Sequence, residues 1–229
     1  MVIGMFLAHL VGDFVLQWDG LAQRKSREWG GVLVHSLIVL GVTATIALLL
    51  NPLWWAGILI ISLTHFAIDA LWFVVRSPLS PLMRFIVDQA LHGFFILLAL
   101  VVTGYLSWSD LWGGIMAGAR ATPWLTALLA YVFLTMPAWV LLKFTTRGMK
   151  QGGSLDFSAG LGKFTGIGER LIVMTLVLLG QWLVAPLVVL PQLIVLWPRE
   201  NDDRSIAFEL VIGVALAAAV GWLIRPLLP

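Results

Sequence analysis

Three His–Asp pairs stand four residues apart inside apolar segments: His9 with Asp13 in "AHLVGD", His65 with Asp69 in "HFAID", and Asp88 with His92 in "DQALH". Side chains four apart share one face of a helix, so each pair can point inward as a unit. Imidazole and carboxylate together form a mixed nitrogen and oxygen donor set suited to Zn, Mn or Fe. Ionisable groups inside a bilayer are costly and usually functional. The expectation is a divalent metal centre (Zn, Mn or Fe) built from His9, Asp13, His65, Asp69, Asp88 and His92, with Gln17, His35, Gln89 and Arg84 in support. One ion would use four to six of these groups; two ions would share the carboxylates, as in two-metal hydrolytic sites.

The elements that must position these residues are apolar helices. The chain of 229 residues is 60% hydrophobic and 11% charged, against about 25% charged residues in soluble domains. Its mean hydropathy is +0.98. Apolar runs long enough to cross a bilayer recur along it. The fold class expected is all-α, a polytopic transmembrane helix bundle of about seven spans, six to eight being compatible with the pattern. The segments are 1–18, 31–50, 53–75, 83–107, 122–143, 167–186 and 205–227. The whole chain, 1–229, reads as a single transmembrane domain; its 1–107 portion is a four-helix part carrying the site, and 122–229 supplies the carboxy-terminal helices. The first stretch lacks a basic leading region and reads as a retained helix, not a removed signal peptide.

Basic residues follow the odd-numbered segments: Arg24, Lys25 and Arg27, then Arg76 and Arg84, then Lys143, Arg147, Lys150 and Lys163. Such residues mark cytoplasmic loops, which puts the amino terminus outside. Trp18, Trp29, Trp54, Trp108 and Trp124 lie where an interfacial aromatic belt would. The chain direction reverses between segments three and four, and the order of His and Asp reverses with it. The histidines then share a layer about 14 Å from the cytoplasmic ends and the aspartates one about 8 Å deep, at 1.5 Å per residue. His35 falls near the aspartate layer.

Connections are read as a tight "NPL" turn at 51–53, an interfacial loop over 108–121, and a glycine-containing polar loop over 144–165. Residues 187–197 carry Pro191 and are too short to span, so they extend segment six past a kink or form a re-entrant piece. "GIGER" brings Glu169 and Arg170 to the cytoplasmic start of segment six. With no cysteine in the chain, disulfides, thiolate metal sites and covalent haem attachment are excluded. The net charge of +2 resides in short loops and does not point to nucleic acid.

Each feature also has a purely structural explanation. A His–Asp pair can be a hydrogen-bonded packing unit. Glu169 with Arg170 fits a helix start, where a carboxylate meets the dipole. Arg24, Lys25 and Arg27 fit a topology signal alone. "GGSLDFSAGLG" lacks the strand and Lys of a phosphate loop. "GVALAAAVG" is small-residue helix packing, which extends to a neighbouring copy in a homo-oligomer.

"AHLVGDFVLQ", then His35, "HFAID" and "FIVDQALHG" resemble the HLxGDFxLQ, HFxID and DQxxH segments of an uncharacterised bacterial membrane family, a domain of unknown function of the 3307 type. "GIGER" and "FELVIG" look like its carboxy-terminal signatures. Leu71 and Trp72 stand where that pattern has a basic residue soon after HFxID. The resemblance implies a multi-pass protein of the bacterial inner membrane and an inventory of polar positions, with no activity attached. A looser similarity to membrane-bound metal-dependent hydrolases implies metal chemistry.

These readings converge on a metal-dependent hydrolase acting on an amphipathic or lipid-like substrate at the cytoplasmic leaflet. A carboxylate free of the metal, or Glu169, would be the base, and Arg170 or Arg84 would hold an anionic headgroup. Membrane lipids are the partners expected. A transporter or channel for protons or divalent cations could use the same layers. A bis-histidine haem protein and a structural membrane subunit complete the alternatives.

Overall fold

The computed structural model describes residues 1–75, 77–147, 161–191 and 204–228. The topology signals at Arg76 and Lys150, and most of the "GGSLDFSAGLG" stretch, lie outside the described residues. The described chain is helical throughout: α1 (Val2–Leu10), α2 (Asp19–Arg27), α3 (Trp29–Leu50), α4 (Trp55–Val74), α5 (Pro81–Val102), α6 (Leu111–Ala121), α7 (Pro123–Leu134), α8 (Met136–Arg147), α9 (Leu161–Leu178) and α10 (Arg204–Ile224). Among the described residues, five helical stretches are long and apolar enough to cross a membrane: Trp29–Leu50, Trp55–Val74, Pro81–Val102, Pro123–Thr146 and Phe208–Leu227. A sixth is added if Val2–Val15 and Asp19–Arg27 are counted as one broken span.

That amino-terminal pair departs from the simple span expected over 1–18. A π-helical turn, Val11–Val15, follows α1, and Leu16 N–H donates to the Val11 carbonyl at 2.9 Å. The chain then bends by 87° into α2. Amphipathic α2 is polar and basic at its carboxy-terminal end, as suits a helix lying across the bundle end. Segment 167–186 also differs. The helix there begins at Leu161 and ends at Leu178, and it carries Lys163, Glu169 and Arg170. Gly180 terminates it at φ +79°, with Gln181 N–H donating to Leu176 O at 2.7 Å, the glycine-ended helix stop that relieves the last carbonyls.

The loop expected over 108–121 is mostly helix α6. Asp110 starts it by accepting from Gly113 N–H at 2.9 Å. Of the polar loop expected over 144–165, α8 takes the residues to Arg147 and α9 those from Leu161, and residues 148–160 lie outside the described residues. In the 187–197 stretch, a 3₁₀ turn at Ala185–Val188 reaches its start, and residues 192–197 lie outside the described residues. Trp54 is no belt residue: it is 4% exposed and its ring covers Gly57, where a Cβ would collide with it. Trp18, Trp29, Trp108 and Trp124 are exposed.

The chain divides into two compact units, Met1–Leu129 and Ala130–Pro229. In the first, α1, α3, α4 and α5 pack side by side. One half of their interior is an apolar cluster including Met5, Ala8, Ala47, Ile58, Ile61, Ile96, Ala99 and Leu100. The other half holds the polar residues. In the second unit, α8, α9 and α10 enclose Leu134, Ala138, Val173, Met174, Val177 and Ala217. Pro137, lacking an N–H, coincides with the break between α7 and α8. There the Leu134 carbonyl accepts from Arg170 Nε at 2.9 Å.

Gly31 sits where α2 crosses α3. A Cβ at that position would collide with the backbone of Arg24 and Lys25. Gly31→Val is therefore expected to push α2 off α3 and to cost at least the ~1–3 kcal/mol of an overpacked core. Thermal unfolding in detergent, together with faster proteolysis within 19–27, is the measurement; an unchanged melting temperature would contradict the tight crossing.

Candidate metal centre

The polar half of the first unit gathers residues from five elements. Asp13 comes from the π turn, Lys25 from α2, His35 from α3, His65 and Asp69 from α4, and Asp88, Gln89 and His92 from α5. His9, Asp13, His35, His65, Asp69 and His92 are all buried. The three histidines expected in one layer do meet. Ring centroids are 5.1 Å apart for His9 and His92, 5.9 Å for His9 and His65, and 4.1 Å for the stacked pair His65 and His92.

His35, expected in support, stands at the centre. Its Nε2 lies 3.0 Å from Asp13 Oδ1, 3.2 Å from His65 Nε2 and 3.4 Å from Asp69 Oδ2. His65 Nε2 lies 3.4 Å from Asp69 Oδ2 and 3.8 Å from Asp13 Oδ1. One Nε2 hydrogen cannot serve both Asp13 and a second imidazole well, so these contacts conflict in the absence of a cation. Around a tetrahedral ion with bonds near 2.1 Å, neighbouring donors are about 3.4 Å apart. Asp13 Oδ1, His35 Nε2 and His65 Nε2 come near that spacing, which leaves a fourth position open, and Asp69 Oδ2 borders the two imidazoles at 3.4 Å from each.

The i,i+4 logic holds for two pairs and shifts at the third. His65 Nε2–Asp69 Oδ2 is 3.4 Å and His92 Nε2–Asp88 Oδ1 is 3.5 Å. In the first helix the π turn inserts between His9 and Asp13, so Asp13 turns to His35. His9 pairs instead with Gln89 Oε1 at 3.1 Å. Gln89 Nε2 donates to Asp13 Oδ2 and Asp88 Oδ2, each at 3.0 Å. Two carboxylate acceptors fix that amide's orientation, so its oxygen must accept and His9 Nε2 must donate. His9 is absent from the three groups of converging donors among the described residues, which are Asp13/His35/His65, His65/Asp69/His92 and Asp13/Asp88/His92. A π turn at such a place is common at functional sites. Gly12 lets it approach α3 closely, its Cβ position lying 3.2 Å from Val39 Cα.

Several buried donor and acceptor atoms here have no hydrogen-bond partner: His35 Nδ1, Asp69 Oδ2, Asp88 Oδ1 and His92 Nε2. Buried polar atoms are rarely left so. Asp69 Oδ2, Asp88 Oδ1 and His92 Nε2 are also the atoms a cation would use. A small cavity of about 10 Å³, room for roughly one water, borders His9, His65 and His92 and is otherwise lined by Ile61, Thr64, Phe95 and Ile96.

Lys25, read from sequence as a topology signal, enters the cluster. Its Nζ lies 2.7 Å from Asp69 Oδ1 and 3.9 Å from Asp13 Oδ1. Its sequence signal was weak because lysine at a loop start is common; only the 87° bend turns it inward. Gln17 is half-buried with its Oε1 unpartnered. Arg84 is exposed, donating to the Trp72 carbonyl at 2.6 Å and covering the Trp72 ring.

Glu169 and Arg170 belong to the second unit. Arg170 is buried, and Glu169 Oε2 has no hydrogen-bond partner. Nearby in that unit, Lys143 Nζ forms a two-point ion pair with Glu209 at 2.7 and 2.9 Å, and Thr146 Oγ1 donates to the same carboxylate at 2.8 Å.

Residues 1–113 match the family described as "Protein of unknown function (DUF3307)". The segment contains every donor of the cluster, from His9 to His92. The resemblance drawn from the HLxGDFxLQ, HFxID and DQxxH segments thus stands over that part of the chain. No curated protein and no solved structure matches, so no relative links this chain to membrane-bound metal-dependent hydrolases.

Asp69 is the partner of both the lysine and the imidazoles. Asp69→Asn should remove the shorter contact of the half-buried Lys25, leaving Asp13 at 3.9 Å, and cost up to about 3 kcal/mol, the lower end for a broken buried pair. Chemical unfolding in mild detergent measures it, and a cost below about 1 kcal/mol would show that the ion pair is solvated.

Proposed function

We propose that this protein is a metal-dependent membrane hydrolase whose centre is held by Asp13, His35 and His65 with Asp69 beside it, the fourth position open to water, and that it faces the cytoplasmic leaflet of the bacterial inner membrane. The observation that carries the metal is the close spacing of three donor atoms, Asp13 Oδ1, His35 Nε2 and His65 Nε2, at 3.0–3.8 Å, from the π turn, α3 and α4. Zn, Mn or Fe suits such a donor set. A divalent ion bound there would polarise a water for attack. Asp88 is half-buried and stands outside the donor set Asp13/His35/His65, and its unpartnered Oδ1 suits it to the role of base. It takes the part that the sequence left between a free carboxylate and Glu169. The topology that accompanies this reading has the amino terminus outside and seven spans.

The apolar cluster around Met5, Ala47, Ile58, Ile96 and Leu100 fills the other half of the first unit. A channel or transporter would need polar groups to continue through that half. The one-sided distribution favours a site approached from one leaflet, by a substrate with an apolar body and a polar head.

Two measurements test the reading. Elemental analysis of the detergent-purified chain is expected to find near-stoichiometric Zn, Mn or Fe. The ion should be lost in His35→Ala and in His65→Ala/Asp69→Ala variants that still fold, and retained in His9→Ala. A parent that carries no metal, and takes none up at neutral pH, would overturn the metal centre. Asp88→Asn should keep the metal and lower phosphate release from lipid phosphates by about 10²–10⁴-fold, the scale of a general base. Loss of metal in that variant would move Asp88 from base to ligand.

A further inference from the structure

Asp69 presents its two oxygens to two different places. Oδ2 faces His35 and His65, at 3.4 Å from each Nε2. Oδ1 faces Lys25 Nζ at 2.7 Å and His92 Nε2 at 4.0 Å. His92 Nε2 lies 3.5 Å from Asp88 Oδ1, and neither of these two atoms has a hydrogen-bond partner. His92 is 3% exposed. His92 Nε2 thus stands between Asp88 Oδ1 and Asp69 Oδ1, and the converging donors around it, Asp13/Asp88/His92 and His65/Asp69/His92, outline a second cation place beside the first, with the lysine ammonium drawn onto its Asp69 side.

The lysine's position is built into the backbone. Gly31 lets α2 touch α3 at Arg24 and Lys25, where a side chain at residue 31 would collide. This contact and the bend after the π turn hold Lys25 over the cluster.

Charge decides how many ions the cluster can carry. Asp13, Asp69 and Asp88 contribute three negative charges, and the histidines are neutral as ligands. One divalent ion and the Lys25 ammonium cancel them. Two divalent ions sharing one hydroxide beside Lys25 would leave an excess of one positive charge among apolar helices, a costly state. Without Lys25, two divalent ions sharing one hydroxide would again be neutral.

We propose that Lys25 is a tethered second cation, which makes the centre a one-metal site with a latent second metal place at Asp69, Asp88 and His92. The proposal rests on the metal reading above and adds its stoichiometry. In a two-metal site both ions stabilise charge on the reacting oxygens; here the ammonium supplies the second positive charge to an anionic substrate such as a phosphate ester.

The test is a count. The full-length chain is purified in detergent, stripped with chelator, reloaded with Zn²⁺ and desalted, and zinc per chain is measured. The parent and Lys25→Arg should each hold one ion, and Lys25→Met should hold two. The double variant Lys25→Met/Asp88→Asn should return to one. If Lys25→Met does not survive extraction, Lys25→Gln reads the same quantity. One ion in the variant lacking the lysine charge, or two in the parent, overturns the tethered-cation role and leaves the metal centre standing. No ion in any variant overturns both.

Discussion

Buried carboxylates in an apolar bundle need positive charge close by, and the first unit is organised by that need. Three aspartates lie among helices whose remaining surface suits hydrocarbon. An unpaired charge in such surroundings is far costlier than at a water interface. Every polar feature nearby answers it. The π turn points Asp13 at His35, Gln89 ties Asp13 to Asp88, and α2 folds back to bring Lys25 to Asp69. The apolar half of the same bundle is free of this requirement and packs as an ordinary core.

The second unit solves a smaller version of the problem by other means. Arg170 is buried, and the helix break before Pro137 provides carbonyls for its guanidinium. Lys143, Thr146 and Glu209 satisfy one another between α8 and α10. These contacts account for Arg170, Lys143 and Glu209 as packing devices, while Glu169 Oε2 has no hydrogen-bond partner. The convergent, unpartnered donors belong to the first unit. That contrast is why the chemistry is assigned to residues 1–113, the part that matches the family.

The sequence by itself determined the helical, membrane-type architecture, because apolar runs of spanning length admit few other folds. It also pointed to histidines and aspartates sharing one place in the first four apolar segments: spacing of four on a helix and reversal of chain direction are both readable without coordinates. The motifs around them were enough to suggest the family. Helix stops at Gly180 and starts at Ser80–Pro81 and Asp110 follow local rules of the same kind.

Tertiary structure decided what no periodicity carries. The π turn and the 87° bend depend on what α1 and α2 pack against, so the pairing of Asp13 with His35 and of His9 with Gln89 could not be read from i,i+4 spacing. His35 has no carboxylate one turn away in sequence, and its central position comes from the meeting of α3 with α4 and the π turn. Lys25 looked like one of several loop cations until Gly31 allowed α2 to close on α3. In each case the deciding contact joins residues far apart in the chain. The physical reason is common to all: the desolvation cost of buried charge is a property of the folded surroundings, and only the assembled helices specify which groups remain to offset it.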